Sequence, residues 1–549
     1  MRGLFIFWLA AFAAEGLCSL FLHESDSPHV LRLGLQRNKH NDPIGRDRRR
    51  FKRQADVVDA DLYGESMGGD IYSTNITIGD PPQWVTVSVD TGSADLWVVS
   101  SENPVCDVRG TRCDEFGLYN PNSSTSYVAL SDEFGISYGD RSWAEGHYAI
   151  DTISIENADI PGVQFAVATS SSIDKGILGI GYSTNVVADY RYPNLPELLV
   201  SDNITRSNAY SLWLNRLGSN EGSILFGGIN TAHYTGTLQT IPVVQYMGDY
   251  IHLWLTLTEM GVESASDNID KSYTDTRSTT GAAEFPLVAL LDSGATLTYL
   301  PSNVVAQIFS DLDVHFYQQG QFGYVPCDTY LVSREDYNLT FTFSGVTIRV
   351  PLSELVLHDA ISGPGRNALP LPDTDSDEES CLFGILPAVD FFPILGDTFL
   401  RSAYAVFDLE NNEISLAQAN RNPGDDRILE IGEGSDGVPE AEDVSNPVTT
   451  ATVALGGSSL VLPAGWTNEP VFPSRAVTTS SSATAPRTSD EDAEETGDGL
   501  TSGSGSGSGT ATSAGIDAPT ETDGAIQLAV SKNPWLLIPA VVIGLVAVP

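Results

Sequence analysis

Val89-Asp90-Thr91-Gly92-Ser93 is answered 202 residues later by Leu291-Asp292-Ser293-Gly294-Ala295. Each copy closes a short apolar stretch. Each is also followed by a second matching signal, Gly176-Ile177-Leu178-Gly179 in the first half and Pro393-Ile394-Leu395-Gly396 in the second. A lone Asp-Thr-Gly could be a turn in which the aspartate caps its own backbone. Two copies with two echoes in the same order are an internal duplication, and they predict two halves built on one local design.

The residue types imply a chemistry. A carboxylate at the end of an apolar strand is partly desolvated, and a glycine two positions on lets the backbone turn tightly, so that two such loops can approach each other. The hydroxyls of Thr91 and Ser293 are then placed to hydrogen-bond across to the opposite loop. Two carboxylates brought within hydrogen-bond distance cannot both ionise cheaply; they share a proton and titrate as a unit. The ionised member can take a proton from a bound water, the water attacks a peptide carbonyl, and the protonated member stabilises the developing oxyanion. Asp90 and Asp292 are therefore the candidate catalytic pair, supported by Thr91, Gly92, Ser93, Ser293 and Gly294. That route needs no covalent intermediate and no metal, and no cofactor is expected.

Around the pair, residues 54 to about 420 alternate apolar and polar over short runs such as Trp84-Val-Thr-Val-Ser-Val-Asp90 and Ser223-Ile-Leu-Phe-Gly, separated by Gly, Pro and Asn turns. This pattern predicts a mainly β body. At 549 residues the chain exceeds what one ordinary core supports. Its formal net charge of −44, from 72 Asp+Glu against 28 Lys+Arg, argues against a nucleic-acid partner and suits an acidic working environment, where much of the self-repulsion is neutralised.

The two ends read differently from the body. Residues 1–18 hold one early charge, Arg2, then the apolar run Leu4 to Ala14 and small residues, which is the pattern of a secretory signal peptide. Residues 19–53 invert the charge balance, with nine of the 28 Lys+Arg and four acids between Leu20 and Arg53, ending Arg48-Arg49-Arg50-Phe51-Lys52-Arg53. A detachable basic strip can mask an acidic cleft, so this segment reads as a propeptide cut after Arg53 by a dibasic-processing protease. From 422 to 523 the sequence is acidic and then Ser/Thr/Gly-rich, including the run Ser502 to Gly509, and it reads as a disordered stalk. The last fifteen residues, Trp535 to Pro549, are almost wholly apolar but short of the ~20 that span a bilayer. With small residues at Asp523-Gly524-Ala525 and a nine-residue spacer, they match a GPI-attachment signal, 524–549 being removed and Asp523 or Gly524 accepting the lipid.

Of five cysteines, Cys18 falls at the signal's end, leaving an even set for which pairing is the default in a secreted chain. Sequence-near pairing joins Cys106 to Cys113 and Cys327 to Cys381; a zinc site is the alternative, without a CxxC or histidine cluster to favour it. Asn75, Asn122, Asn203 and Asn338 begin N-glycosylation sequons.

With these features assembled, the sequence resembles the pepsin-like aspartic proteases over about Tyr72 to Ala419. Beyond the two aspartate motifs it carries Leu96-Trp97, the flap-like Ile136-Ser137-Tyr138-Gly139-Asp140, and Ile394-Leu395-Gly396-Asp397. The resemblance implies a bilobal β fold with the active site in a cleft between pseudo-symmetric lobes, 54–240 and 241–421, and a monomer acting on polypeptide substrates. It further implies a hairpin carrying Tyr138, Gly139 and Asp140 that closes over substrate, with the Tyr138 hydroxyl in reach of the Trp97 indole. The propeptide, stalk and lipid signal together look like the fungal yapsin-type branch. Its members cut near Lys or Arg and are held at the outer face of the plasma membrane or on cell-wall glucan.

Two positions depart from the family pattern. Arg141 stands where the flap turn usually has glycine. Ala295 stands where acid-optimum members commonly carry a hydroxyl that donates to the second aspartate, so an upward-shifted pair and activity at less acidic pH are expected. The short Cys106 to Cys113 loop lacks the acidic insertion of some yapsins, so a basic-residue preference would fall to other carboxylates, Asp140 first and the stretch Asp373 to Glu379 second. The competing reading is a catalytically silent peptide-binding or cell-wall adhesion protein on the same fold, and the intact Asp90, Asp292 and Tyr138 argue against it.

Overall fold

The strand that delivers Asp90 explains much of the architecture. The computed structural model describes residues 29–40, 69–108, 111–138, 142–156, 158–219, 221–274, 285–318, 321–358, 379–388 and 391–451. Its first eight strands are β1 (Leu31–His40), β2 (Gly69–Ile78), β3 (Gln83–Asp90), β4 (Leu96–Val99), β5 (Val128–Ser137), β6 (Trp143–Ile155), β7 (Ala158–Ser171) and β8 (Gly176–Gly179). In β3 every residue from Val85 to Asp90 is buried, as befits a strand covered on both faces. Parallel to it runs β8, with Val89 opposite Leu178 and Asp90 opposite Gly179, and β4 pairs antiparallel with β8 on its other side.

The second half repeats this arrangement. Strand Leu287–Leu291 is fully buried and runs parallel to Ile394–Leu395, with Leu291 opposite Leu395, while Thr298–Leu300 pairs antiparallel to Ile394. The duplication expected from sequence is thus a duplication of strand topology, and the fold is the mainly β, bilobal pepsin-like one.

A fourteen-stranded sheet ties the halves together. Its order is Ala441–Asp443, Tyr234–Pro242, Glu413–Ala419, Ala403–Asp408, Ala209–Trp213 and Glu221–Phe226, then β1, β2, β3, β8, β4, β7, β6 and β5. Strand Tyr234–Pro242 runs across the lobe boundary expected at 240/241, because the chain passes between halves inside this sheet. The rest of the second half forms sheets of five, four and four strands.

The structure adds a packing role to one of the ends and changes the expected start of the stalk. Within 19–53, the described part is a strand inside the sheet: β1 pairs with Glu221–Phe226 on one side and β2 on the other, burying Leu33 and Leu35 while Arg32 bonds outward to Asp426. Its alternating leucines give it a packing role that its charge obscured in sequence. Arg53 lies outside the described residues. The disordered stalk does not begin at 422, because 422–451 packs on the body. Ile428–Glu430 pairs with Gly228–Asn230, Ala441–Asp443 runs parallel to Tyr234–Pro242, and Ile431, Val438 and Val444 are buried. Three buried apolar residues spaced among acids and glycines suffice to anchor a strap when strand edges supply the backbone partners. The remaining stalk, Asp523 and Gly524 lie outside the described residues, and among the described residues no helix is long and apolar enough to cross a membrane.

Cys106 is bonded to Cys113 and Cys327 to Cys381. His358 lies beside the second bridge, but both sulfurs there are committed to each other.

Candidate active site

Parallel pairing of β3 with β8 leaves Asp90 at the strand end, where the chain must turn. Thr91 and Gly92 make that turn, and the Gly92 N–H donates to Asp90 Oδ1 at 2.8 Å. In the second half the Gly294 N–H donates to Asp292 Oδ1 at the same 2.8 Å. Both aspartates are 1% exposed.

The turns grip each other. Thr91 Oγ1 donates to the Leu291 carbonyl at 2.9 Å and accepts the Ser293 N–H at 2.9 Å. Reciprocally, Ser293 Oγ donates to the Val89 carbonyl at 3.0 Å and accepts the Thr91 N–H at 3.2 Å. These four bonds hold the two loops against each other. How near they come is measured at Gly92, where an added Cβ would stand 2.8 Å from the Asp292 carboxyl carbon. Only glycine admits the opposing carboxylate at that position.

The halves differ where the sequence differs. Ser93 Oγ donates to Asp90 Oδ2 at 2.6 Å, whereas the fully buried Ala295 has no hydroxyl to offer Asp292. Backbone bonds at this position are matched: the Gly181 N–H donates to the Ser93 carbonyl and the Asp397 N–H to the Ala295 carbonyl.

β5 and β6 form a hairpin with Ile136 opposite Ala144. Tyr138 leaves β5 and accepts the Trp97 indole N–H at its hydroxyl, 2.7 Å away, while its own N–H donates to the Ser142 carbonyl. Beneath the hairpin, Trp97, Phe134, Ile136, Tyr138, Tyr148, Ile177 and Tyr192 form one apolar cluster. Gly139, Asp140 and Arg141 lie outside the described residues, as does the acidic stretch from Asp373 except Glu379, which is exposed.

Asn75, Asn122 and Asn203 are exposed, and Asn338 is half-buried. His147 bonds the Tyr127 hydroxyl, and His252 is pushed down to about 4 by burial beside Trp254 and Phe392.

Sequence reading overlooked Asp95, five residues after Asp90. It is fully buried and accepts three hydrogen bonds. The available signal was an acid inside the otherwise uncharged run Ala94 to Val99, since a charge is placed in a core only where partners wait for it.

The model of the family described as eukaryotic aspartyl protease matches residues 71–419. A probable aspartic-type endopeptidase opsB of Aspergillus oryzae is 43% identical over 462 residues, covering 83% of this chain and 90% of its own length. Aspartic proteinase yapsin-3 of Saccharomyces cerevisiae is 34% identical over 407 residues, 71% of this chain and 74% of its own. Secreted aspartic protease 8 of Candida albicans is 38% identical over 356 residues, 64% of this chain and 76% of its own. Duplicated strand-turn topology, reciprocal hydroxyl bonds and these likenesses agree: the chain belongs to the eukaryotic aspartyl protease family and is a pepsin-like aspartic endopeptidase.

Proposed function

We propose that Asp90 and Asp292 hold the attacking water and share one proton, and that the enzyme works outside the cell on polypeptides, with a preference for sites at Lys or Arg. The observation that carries the catalytic part is the reciprocal Thr91/Ser293 grip, which seats the Asp292 carboxyl against Gly92. One aspartate takes a proton from the water as it attacks the scissile carbonyl; the other donates to the carbonyl oxygen, and the proton then passes to the leaving amine. Tyr138, held by Trp97, covers the site and excludes bulk water.

Processing after Arg53 would detach β1 from the rest of the chain, so activation on this reading withdraws a strand from the sheet as well as a basic charge. The secretory leader, the Asp523/Gly524 lipid signal and the C-terminal stalk support delivery to the outer membrane face or cell wall. The acidic surface supports the basic-residue preference, with Asp140 as its first candidate.

The test is to express the full chain with its Asp90→Asn variant and incubate both with Lys-, Arg- and Leu-containing peptides across pH, with and without pepstatin. Pepstatin-sensitive cleavage by the wild type alone is expected. Pepstatin-insensitive cleavage, or activity surviving in Asp90→Asn, would refute the pair. Equal rates on all three peptides would refute the preference.

A further inference from the structure

Asp95 sits between the catalytic turn and the flap, and it belongs to neither. Its Oδ1 accepts the Tyr148 hydroxyl at 2.9 Å and the Tyr192 hydroxyl at 2.7 Å, and its Oδ2 accepts the Val187 N–H at 2.9 Å. The three donors come from two segments distant from Asp95 in the chain. Tyr148 is on β6, the return strand of the flap hairpin, while Val187 and Tyr192 lie on the connection that follows β8. The Asp95 carbonyl also accepts the N–H of Gly179 at the end of β8, and the Asn185 amide on the connection donates to the Gly92 carbonyl at 3.3 Å, which ties this connection to the catalytic turn.

Above the carboxylate the tyrosines continue upward as packing. Tyr148 and Tyr192 meet edge to face at 5.7 Å, and Phe134 of β5 stands edge to face on Tyr148 at 5.4 Å. Phe134 and Ile136 then share one cluster with Tyr138 and Trp97. A single buried acid thus holds the floor on which the flap strand rests. Burial pushes its carboxyl up, and the three donors partly offset this; a group this costly to bury persists where its bonds fix a unique arrangement.

We infer that Asp95 is a positioning residue: by clamping Tyr148, Tyr192 and the Val187 N–H beneath the hairpin, it sets where Tyr138 closes on the substrate. The inference rests on the proposed Asp90/Asp292 chemistry but adds a separate claim about substrate binding.

The test is the full chain carrying Asp95→Asn, which keeps the volume but offers one acceptor oxygen to three donors. Active sites are counted with pepstatin so that kcat and KM refer to folded enzyme. KM for a peptide substrate should rise about tenfold with kcat nearly unchanged, the pattern of lost binding common to ground and transition states. In a Tyr138→Phe background the same substitution should add less than about twofold, because both act through one contact. A lowered Tm with KM unmoved, or KM effects that multiply in the double variant, would overturn the inference. If Asp95→Asn does not fold, Tyr192→Phe removes one donor and keeps the ring. A rise in KM of about threefold supports the clamp, and an unchanged KM overturns it. A wild type that cleaves while these variants match it overturns this inference alone. A silent wild type overturns the Asp90/Asp292 chemistry and this inference with it.

Discussion

Replacing Ala295 by Ser would give the second aspartate the donor that the first already has. Ser93 Oγ reaches Asp90 Oδ2 at 2.6 Å, and Ala295 occupies the equivalent place three residues after Asp292. A hydrogen bond to a charged acceptor contributes roughly 1.5–3 kcal/mol, and one pKa unit corresponds to about 1.36 kcal/mol, so a well-formed bond should shift the pair by about one to two units. The sign is downward, because the donor favours the ionised form, and on the proposed chemistry, in which the two aspartates hold one proton in common, the shift belongs to the pair. The acidic limb of kcat/KM should therefore move to lower pH by about one unit or more, with the alkaline limb much less affected. Ser93→Ala should move the same limb upward. Because Ala295 is 0% exposed, the added oxygen is checked for crowding by comparing Tm. An acidic limb that stays in place, in a variant whose Tm matches wild type, would refute the donor argument.

Three other perturbations test the frame. Thr91→Val strips the Leu291 carbonyl and the Ser293 N–H of their partner in a buried site, which should cost about 2–4 kcal/mol in urea unfolding and lower kcat far more than it raises KM. Arg401→Met leaves Glu354, whose side chain is 3% exposed, without the guanidinium bonded to it at 2.7 Å; a loss of about 3–5 kcal/mol is expected, and a loss below about 1 would show that Arg421, 3.2 Å from Glu354, suffices. Glu413 is raised from 4.5 to about 7 by burial and by the facing Asp408, Asp443 and Asp436. Its folded value lies above its unfolded one, so the stability it contributes is complete below about 4.5 and lost as pH rises through 7. Glu413→Gln should consequently raise Tm at pH 8 while leaving it nearly unchanged at pH 4.

The strap 422–451 shows why parts of the fold were hidden from sequence. Its apolar residues are too sparse to give any period, and it becomes structure only because Tyr234–Pro242 and Gly228–Asn230 present unpaired backbone edges to it. β1 was hidden for the opposite reason: its basic residues dominate the composition, while Leu31, Leu33 and Leu35 find their neighbours in strands far along the chain. Asp95 was written in the sequence as a charge, but its donors lie 53, 92 and 97 residues away.

What the sequence determined by itself was the chemistry and the symmetry. Two Asp-Thr/Ser-Gly turns, each ending an apolar strand and each echoed by Ile-Leu-Gly, leave few arrangements other than two facing carboxylates, because glycine spacing and strand burial are local properties. The tertiary structure decided how closely the turns interlock, which side chains pack against the Tyr138 hairpin, and which parts of the charged ends join the sheet. Those outcomes depend on hydrogen-bond partners and packing faces supplied by distant segments, which no local pattern specifies.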